Sequence, residues 1–402
     1  MIPRNFNLSE LLNKNRSVLL LGPRGVGKTK LIRDTLSHYP NTIELDLLKS
    51  ENHRRFAAHP ESLREDVEFE IRRKGNVVVF IDEVQRAPQL LNEVHALIET
   101  YQSQVQWVLT GSSARKLRRE GTNLLAGRLR QAKLHPITFH ELEQPLARAL
   151  QFGQLPAAIN DPDVTFLESY VDLYLREEVY QESLVRKQEV FARFLDVAAQ
   201  HSGELVSYAK IARMSNTTEV TVREYFQILA DTLLVHRLDA FSYSAAKQIS
   251  QRPRFYFFDI GVLNAARGEA SVKFNPNSNR GGKQFEHLVI LELIRMNDYC
   301  NRRFNFGHFR ESEKLEVDIV LFRGMSDPLI AIEIKVNETP EAIDIRGLLR
   351  FKELHPHATL LCLTAGARSF DLLGVSVMPW QRGVNDIMLT TTVDSSGIPL
   401  PK

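Results

Sequence analysis

The sequence predicts a multidomain α/β protein whose N-terminal part is a parallel sheet wrapped by helices. Four observations predict it. The chain has 402 residues, more than one ordinary hydrophobic core accommodates, and short apolar runs alternate with helix-period segments over residues 1–145 and again over 284–402. The runs Val18–Leu21 and Val77–Ile81 are apolar without alternation, as strands buried on both faces are. Between strand-like runs, Pro88–Tyr101 places Leu90, Leu91, Val94, Leu97, Ile98 and Tyr101 on one helical face.

Taken in order, strands are expected at Ser17–Leu21, Thr42–Leu45, Val77–Ile81, Gln106–Leu109 and Arg130–Leu134. Residues 146–200 read as a helical lid or linker, with helices over Phe166–Arg186 and Val190–Gln200. Over residues 201–267 a short helix Leu205–Arg213, a turn at Ser215-Asn216-Thr217-Thr218 and a second helix Glu219–Leu229 make a helix-turn-helix. Strands Leu233–Leu238 and Arg254–Phe258, joined through Lys247 and Arg252, complete a winged helix whose second helix is the expected DNA reader. That helix carries Arg223 against Glu219 and Glu224, so protein docking stands beside DNA as its use. Residues 268–283 are polar and turn-rich and read as a linker. Residues 284–402 read as a separate α/β domain.

Composition bounds the classes. With 43% hydrophobic and 25% charged residues the chain is that of a globular protein. A net charge of +2 leaves any nucleic-acid contact to local basic surface, such as Arg115-Lys116-Leu117-Arg118-Arg119. Two cysteines, Cys300 and Cys362, make no disulfide framework, and no CxxC or HExxH run offers zinc. No signal-peptide-like stretch follows Met1, and no run approaches the roughly 20 apolar residues of a membrane span, so a cytoplasmic setting without membrane partners is expected.

Gly22-Pro23-Arg24-Gly25-Val26-Gly27-Lys28-Thr29 fits GxxxxGK[ST] between an apolar strand and a helix. Its glycines let backbone amides wrap phosphates, Lys28 reaches the β and γ phosphates of ATP, and the Thr29 hydroxyl takes a magnesium position. Gly22, Pro23, Gly25, Val26, Gly27, Lys28 and Thr29 are therefore the expected nucleotide contacts. The strand Val77–Ile81 ends in Asp82-Glu83. Asp82 is expected to hold Mg2+ through its water shell and Glu83 to orient the attacking water, which points to hydrolysis.

Asp82-Glu83-Val84-Gln85, Leu109-Thr110-Gly111-Ser112-Ser113 and Leu125-Ala126-Gly127-Arg128 resemble prokaryotic AAA-type P-loop ATPases, in particular those carrying a C-terminal domain of unknown function. The resemblance spans nearly the whole chain, including Glu168–Val179 and Phe255–Gly261. It implies a polar residue after the fourth strand that senses the γ-phosphate, with Ser112 favoured over Thr110 and Ser113. It also implies an arginine supplied to a neighbour's ATP. Arg128 matches that position, with Arg118 and Arg119 as alternatives. An arginine acting in trans implies a homo-oligomer such as a hexameric ring.

In the C-terminal part, Glu286 lies on the apolar helix Phe285–Met296, Asp318 ends Leu315-Glu316-Val317-Asp318, and Glu333 and Lys335 share one face of the alternating strand Ala331–Lys335. Carboxylates converging from adjacent strands and a helix can bind magnesium, and the lysine can position water for attack on a phosphodiester. The order resembles the restriction-endonuclease-like PD-(D/E)XK pattern, with Val317 where that pattern often has proline. The bland alternative is a same-face ion pair between Glu333 and Lys335. Together these readings give an ATP-hydrolysing protein that acts on branched or foreign DNA, or an ATP-dependent scaffold whose later domains bind proteins.

Overall fold

A computed structural model describes residues 2–111, 127–175, 188–242, 252–312, 315–324 and 329–389. The chain divides into two compact units, one holding residues 1–137 and two short later segments, the other holding most of the rest.

The first unit is built on five strands: β1 (Ser17–Leu21), β2 (Thr42–Asp46), β3 (Val77–Asp82), β4 (Val105–Gly111) and β5 (Leu129–Lys133). All neighbours pair in parallel in the order β2-β3-β4-β1-β5. Every residue of β3 is buried, which is why its sequence is apolar throughout instead of alternating. Leu90, Leu91, Val94 and Leu97 of the helix Leu90–Tyr101 pack into the same core as Val79, Ile81 and Trp107. The strand ends run further than their apolar cores. β4 continues to Gly111 because Thr110 and Gly111 still pair with Leu20 and Leu21 of β1. The carboxyl ends of β1, β3 and β4 thus lie side by side, the edge at which open parallel sheets hold ligands.

The second unit is organised on eight strands, adding β6 (Val235–Ala240), β7 (Arg254–Phe257), β8 (Asn305–Ser312), β9 (Leu315–Phe322), β10 (Ile330–Lys335), β11 (Thr359–Thr364), β12 (Phe370–Leu372) and β13 (Val375–Pro379). Their order is β12-β13-β11-β10-β9-β8-β6-β7. The long helix Asn279–Tyr299 supplies Phe285, Leu288, Val289, Leu291 and Met296 to a core shared with Leu150, Tyr256, Ile319, Ile332 and Leu363.

Two helices occur in this stretch, Tyr208–Met214, which starts three residues later than expected, and Glu219–Asp231. Ser207 caps the first through Lys210 N, and Phe226 stacks on Phe255 with ring centroids 4.1 Å apart. The hairpin after them departs from a separate wing. β6 pairs in parallel with β8 through Asp239–Gly307 and Ala240–His308, so β6 and β7 extend the C-terminal sheet. The expected linker at 268–283 also differs, since the long helix begins at Asn279 inside it. Ser278 caps that helix at Gly281 N, and a Cβ on Gly281 would lie 2.0 Å from the Asn275 carbonyl oxygen. The polar Asn-Pro-Asn-Ser turn is an exposed helix cap whose Asn275 carbonyl presses on Gly281, which composition alone renders as a loop. Among the described residues, no helix is long and apolar enough to cross a membrane.

Candidate functional site

The loop after β1 is shaped by glycine. Gly25 and Gly27 have φ of 80° and 95°, in the left-handed region that side chains with a Cβ rarely enter. A Cβ on Gly22 would sit 2.3 Å from the Leu134 carbonyl oxygen, so only glycine lets the loop leave β1 this close to the chain after β5. The helix Lys28–Leu36 starts directly from the loop, with Gly27 as its cap. Amides at such a helix start, with the macrodipole behind them, favour an anion. Lys28 Nζ lies along the loop, donating to the carbonyls of Gly22 (2.7 Å) and Pro23 (3.2 Å). Arg4, which sequence motifs do not mark, braces the loop by donating to Val26 O (2.8 Å) and His135 O (2.6 Å).

The acidic pair meets this loop. Thr29 Oγ1 donates to Asp82 Oδ2 at 2.8 Å, linking the helix start to the end of β3. Thr110, fully buried at the end of β4, donates its hydroxyl to Asp82 Oδ1 and accepts Glu83 N at 3.0 Å. Burial pushes the Asp82 carboxyl above the usual range, and the hydroxyls of Thr110 and Thr29 pull it back. Glu83 has φ 57° and ψ 50°, a left-handed conformation that costs a non-glycine residue about 1–3 kcal/mol and persists only where surroundings enforce it. Thr110 provides that enforcement at its amide, and Gln85 Nε2 donates to Glu83 Oε2. A hydroxyl and a carboxylate that already meet at Thr29 and Asp82 are the oxygen donors a hydrated magnesium ion takes, so the residues present fit the metal and nucleotide that the loop implies.

Ser112, with Ser113, Arg118 and Arg119, lies outside the described residues. Arg128 is described, and its Nε donates to Glu99 Oε1 at 2.6 Å on a partly exposed surface.

The four C-terminal residues are brought into one neighbourhood. Asp318 on β9 and Glu333 on β10 stand one step beyond the paired residues Ile319 and Ile332. Lys335 Nζ lies 2.6 Å from Glu333 Oε1, and Asp318 Oδ2 accepts Ile334 N at 2.8 Å. Three further members escaped sequence reasoning. Tyr256 donates its hydroxyl to Glu286 Oε1 at 2.9 Å, and Arg254 reaches Glu286 Oε1 (3.4 Å) and Glu316 Oε2 (3.0 Å). Arg254 and Tyr256 alternate on one face of β7, a spacing visible in the sequence but legible only once that strand joins this sheet. Arg254, the first residue of the second expected wing strand, is 5% exposed and paired with carboxylates.

Burial, then Asp318, raises Glu286 to about 7, and the same two causes push Glu333 well above the carboxylate range. Burial opposes charge on Lys335, but Glu333 and Asp318 outweigh it and raise its affinity for the proton. Among the described residues, no group of three or more His, Cys, Asp or Glu side chains is placed to hold a metal ion. The carboxylates are engaged by the chain's own donors.

Comparison with known proteins agrees with the first site. Residues 14–143 match the family described as AAA domain, while residues 144–273 and 281–382 match two domains of unknown function, DUF8612 and DUF4143. The chain is similar to an uncharacterized protein of Mycobacterium tuberculosis, 24% identical over 343 residues, 83% of this chain and 73% of that one. An uncharacterized protein of Haemophilus influenzae is 21% identical over 240 residues, 54% and 58% of the respective chains. Among solved structures, the Thermotoga maritima RuvB Holliday junction branch migration motor is 21% identical, covering 57% of this chain and 89% of its own, at a TM-score of 0.31. That superposition is too loose to bear on the fold. The family match and the loop geometry support an AAA-type ATPase domain at residues 14–143.

Proposed function

We propose that the protein is an ATP hydrolase of the AAA type that uses turnover to act on DNA. The observation that carries hydrolysis is the junction of Thr29, Asp82, Glu83 and Thr110 at the carboxyl ends of β3 and β4. The Gly22–Thr29 backbone binds the phosphates of ATP, and Lys28 moves from loop carbonyls to phosphate oxygens. Thr29 and Asp82 would hold Mg2+, which when bound neutralises phosphate charge and polarises the γ-phosphoryl group. Glu83, held by Thr110 and Gln85, orients the attacking water and takes its proton. Ser112 senses the γ-phosphate, and Arg128 exchanges Glu99 for the phosphate of a neighbouring protomer's ATP in a homo-oligomeric ring.

DNA as the substrate rests on the helix pair Tyr208–Met214 and Glu219–Asp231, with Arg223 and Arg252 exposed. The second unit is the grip that couples this contact to turnover. A second reading has its own support: the presumed reader helix exposes Glu219, Val220 and Glu224, and Arg223 lies over the Tyr208 ring at 3.8 Å. A face of that kind suits protein docking, and the ATPase would then switch a scaffold. ATPase rates with and without single-stranded, duplex and four-way DNA, at several salt concentrations, decide between the two. Stimulation that weakens with salt and is lost in Arg223→Glu/Arg252→Glu supports DNA; unchanged rates with every DNA would sink it.

A further inference from the structure

Arg254 lies buried against two carboxylates of this cluster. It is 5% exposed, with Nη1 3.4 Å from Glu286 Oε1 and Nη2 3.0 Å from Glu316 Oε2. The neighbouring carboxylates are similarly occupied. Glu286 Oε1 also accepts the Tyr256 hydroxyl, Asp318 Oδ2 accepts the Ile334 amide, and Glu333 Oε1 is held by Lys335. We propose that Arg254 takes the place of a divalent cation here, so that Glu286, Glu316, Asp318 and Glu333 form a metal-independent ion-pair core and not a magnesium-dependent cutting site.

Coordination chemistry favours this assignment. Magnesium demands near-octahedral oxygen ligands at about 2.1 Å and is reluctant to shed its water. Here one oxygen of each carboxylate is already engaged, Glu286 Oε1 by Arg254 and Tyr256, Asp318 Oδ2 by the Ile334 amide and Glu333 Oε1 by Lys335. Glu333 Oε2 is buried without a partner among the described residues. The carboxylates are met by Arg254, Lys335 and, at 3.8 Å from Glu316, Arg310.

The arrangement also has a mechanical consequence. Arg254 and Tyr256 come from β7, Glu286 from the long helix, Glu316 and Asp318 from β9, and Glu333 and Lys335 from β10. The core therefore fastens the hairpin that follows the helix-turn-helix to the C-terminal sheet. Removing the guanidinium alone leaves the largely buried Glu286 with the Tyr256 hydroxyl but no positive partner, the costly half of breaking a buried pair. Removing both charges relieves that cost.

The test uses the full chain without nucleotide. Mn2+ is titrated while free Mn2+ is followed by electron paramagnetic resonance, with Asp318→Asn beside wild type. Expected is no sub-millimolar site that depends on Asp318, and the same melting temperature in EDTA and in Mg2+. A stoichiometric site abolished by Asp318→Asn would overturn the proposal. In parallel, Arg254→Ala should lower the melting temperature by roughly 10 °C, and Arg254→Ala/Glu286→Gln should recover much of the loss. No recovery in the double variant counts against the ion-pair core. The Mn2+ titration of wild type decides even where a variant fails to fold.

Discussion

Replacing Thr110 with valine removes one hydroxyl and nothing else of size, and the structure says what that hydroxyl does. It donates to Asp82 Oδ1 and accepts Glu83 N, and it is fully buried, so no water takes over either bond. A bond to a charged acceptor contributes about 1.5–3 kcal/mol and a neutral one about 1 kcal/mol. The second also holds Glu83 in a left-handed conformation that its backbone does not favour. Since about 1.4 kcal/mol at the transition state is tenfold in rate, kcat should fall about tenfold to a hundredfold. ATP affinity, supplied by the Gly22–Thr29 loop, should stay within about twofold. Steady-state ATPase assays beside equilibrium binding of a fluorescent ATP analogue separate the two effects, with Thr110→Ser expected to keep most of the activity. Wild-type kcat in Thr110→Val would refute the positioning role.

Gly22→Ala drives a Cβ to within 2.3 Å of the Leu134 carbonyl oxygen, an overpacking cost of about 1–3 kcal/mol or more, and ATP binding should be lost along with part of the thermal stability. Arg128→Ala should keep nucleotide binding and melting temperature, because its exposed pair with Glu99 contributes little, while turnover at high protein concentration drops sharply; unchanged turnover removes it from the site. His308 titrates at about 4 because burial, then Arg254, disfavours its charge, against about 6.5 in the unfolded chain. The unfolded state therefore takes the proton first, and the contribution of His308 to stability is full above pH 6.5 and falls by about 1.4 kcal/mol per pH unit towards pH 4. The difference in denaturant midpoint between wild type and His308→Gln across that range isolates this slope from the opposite one of Glu286 and Glu333, whose carboxyls are raised.

The first site was legible because its chemistry is local. GxxxxGK[ST] and the Asp82-Glu83 strand end each prescribe a conformation within a few residues, and the fold needs only to set two strand ends together. What escaped was non-local. Thr110 is one of three hydroxyl residues after an apolar run, and its bond to Asp82 depends on strand pairing that no local pattern encodes. Arg4 reaches across 131 residues to His135, a distance no periodicity encodes. The acidic cluster was half visible: the alternation around Glu333 and Lys335 gave their shared face, whereas Arg254 and Tyr256 enter from a strand whose sheet could not be inferred from turn chemistry. The polar 268–283 stretch misled for a related reason. Capping turns and linkers share a composition, and only the close approach of Gly281 to Asn275 separates them.

The central claim is that a glutamate held at the end of β3 drives hydrolysis of a nucleotide clasped by the loop after β1. Single-turnover hydrolysis by Glu83→Gln beside wild type, with bound nucleotide identified after rapid desalting, tests it most directly. The account predicts that wild type releases phosphate while the variant retains intact ATP with magnesium. Phosphate release at the wild-type rate in Glu83→Gln, or no nucleotide retained by either protein, would contradict it.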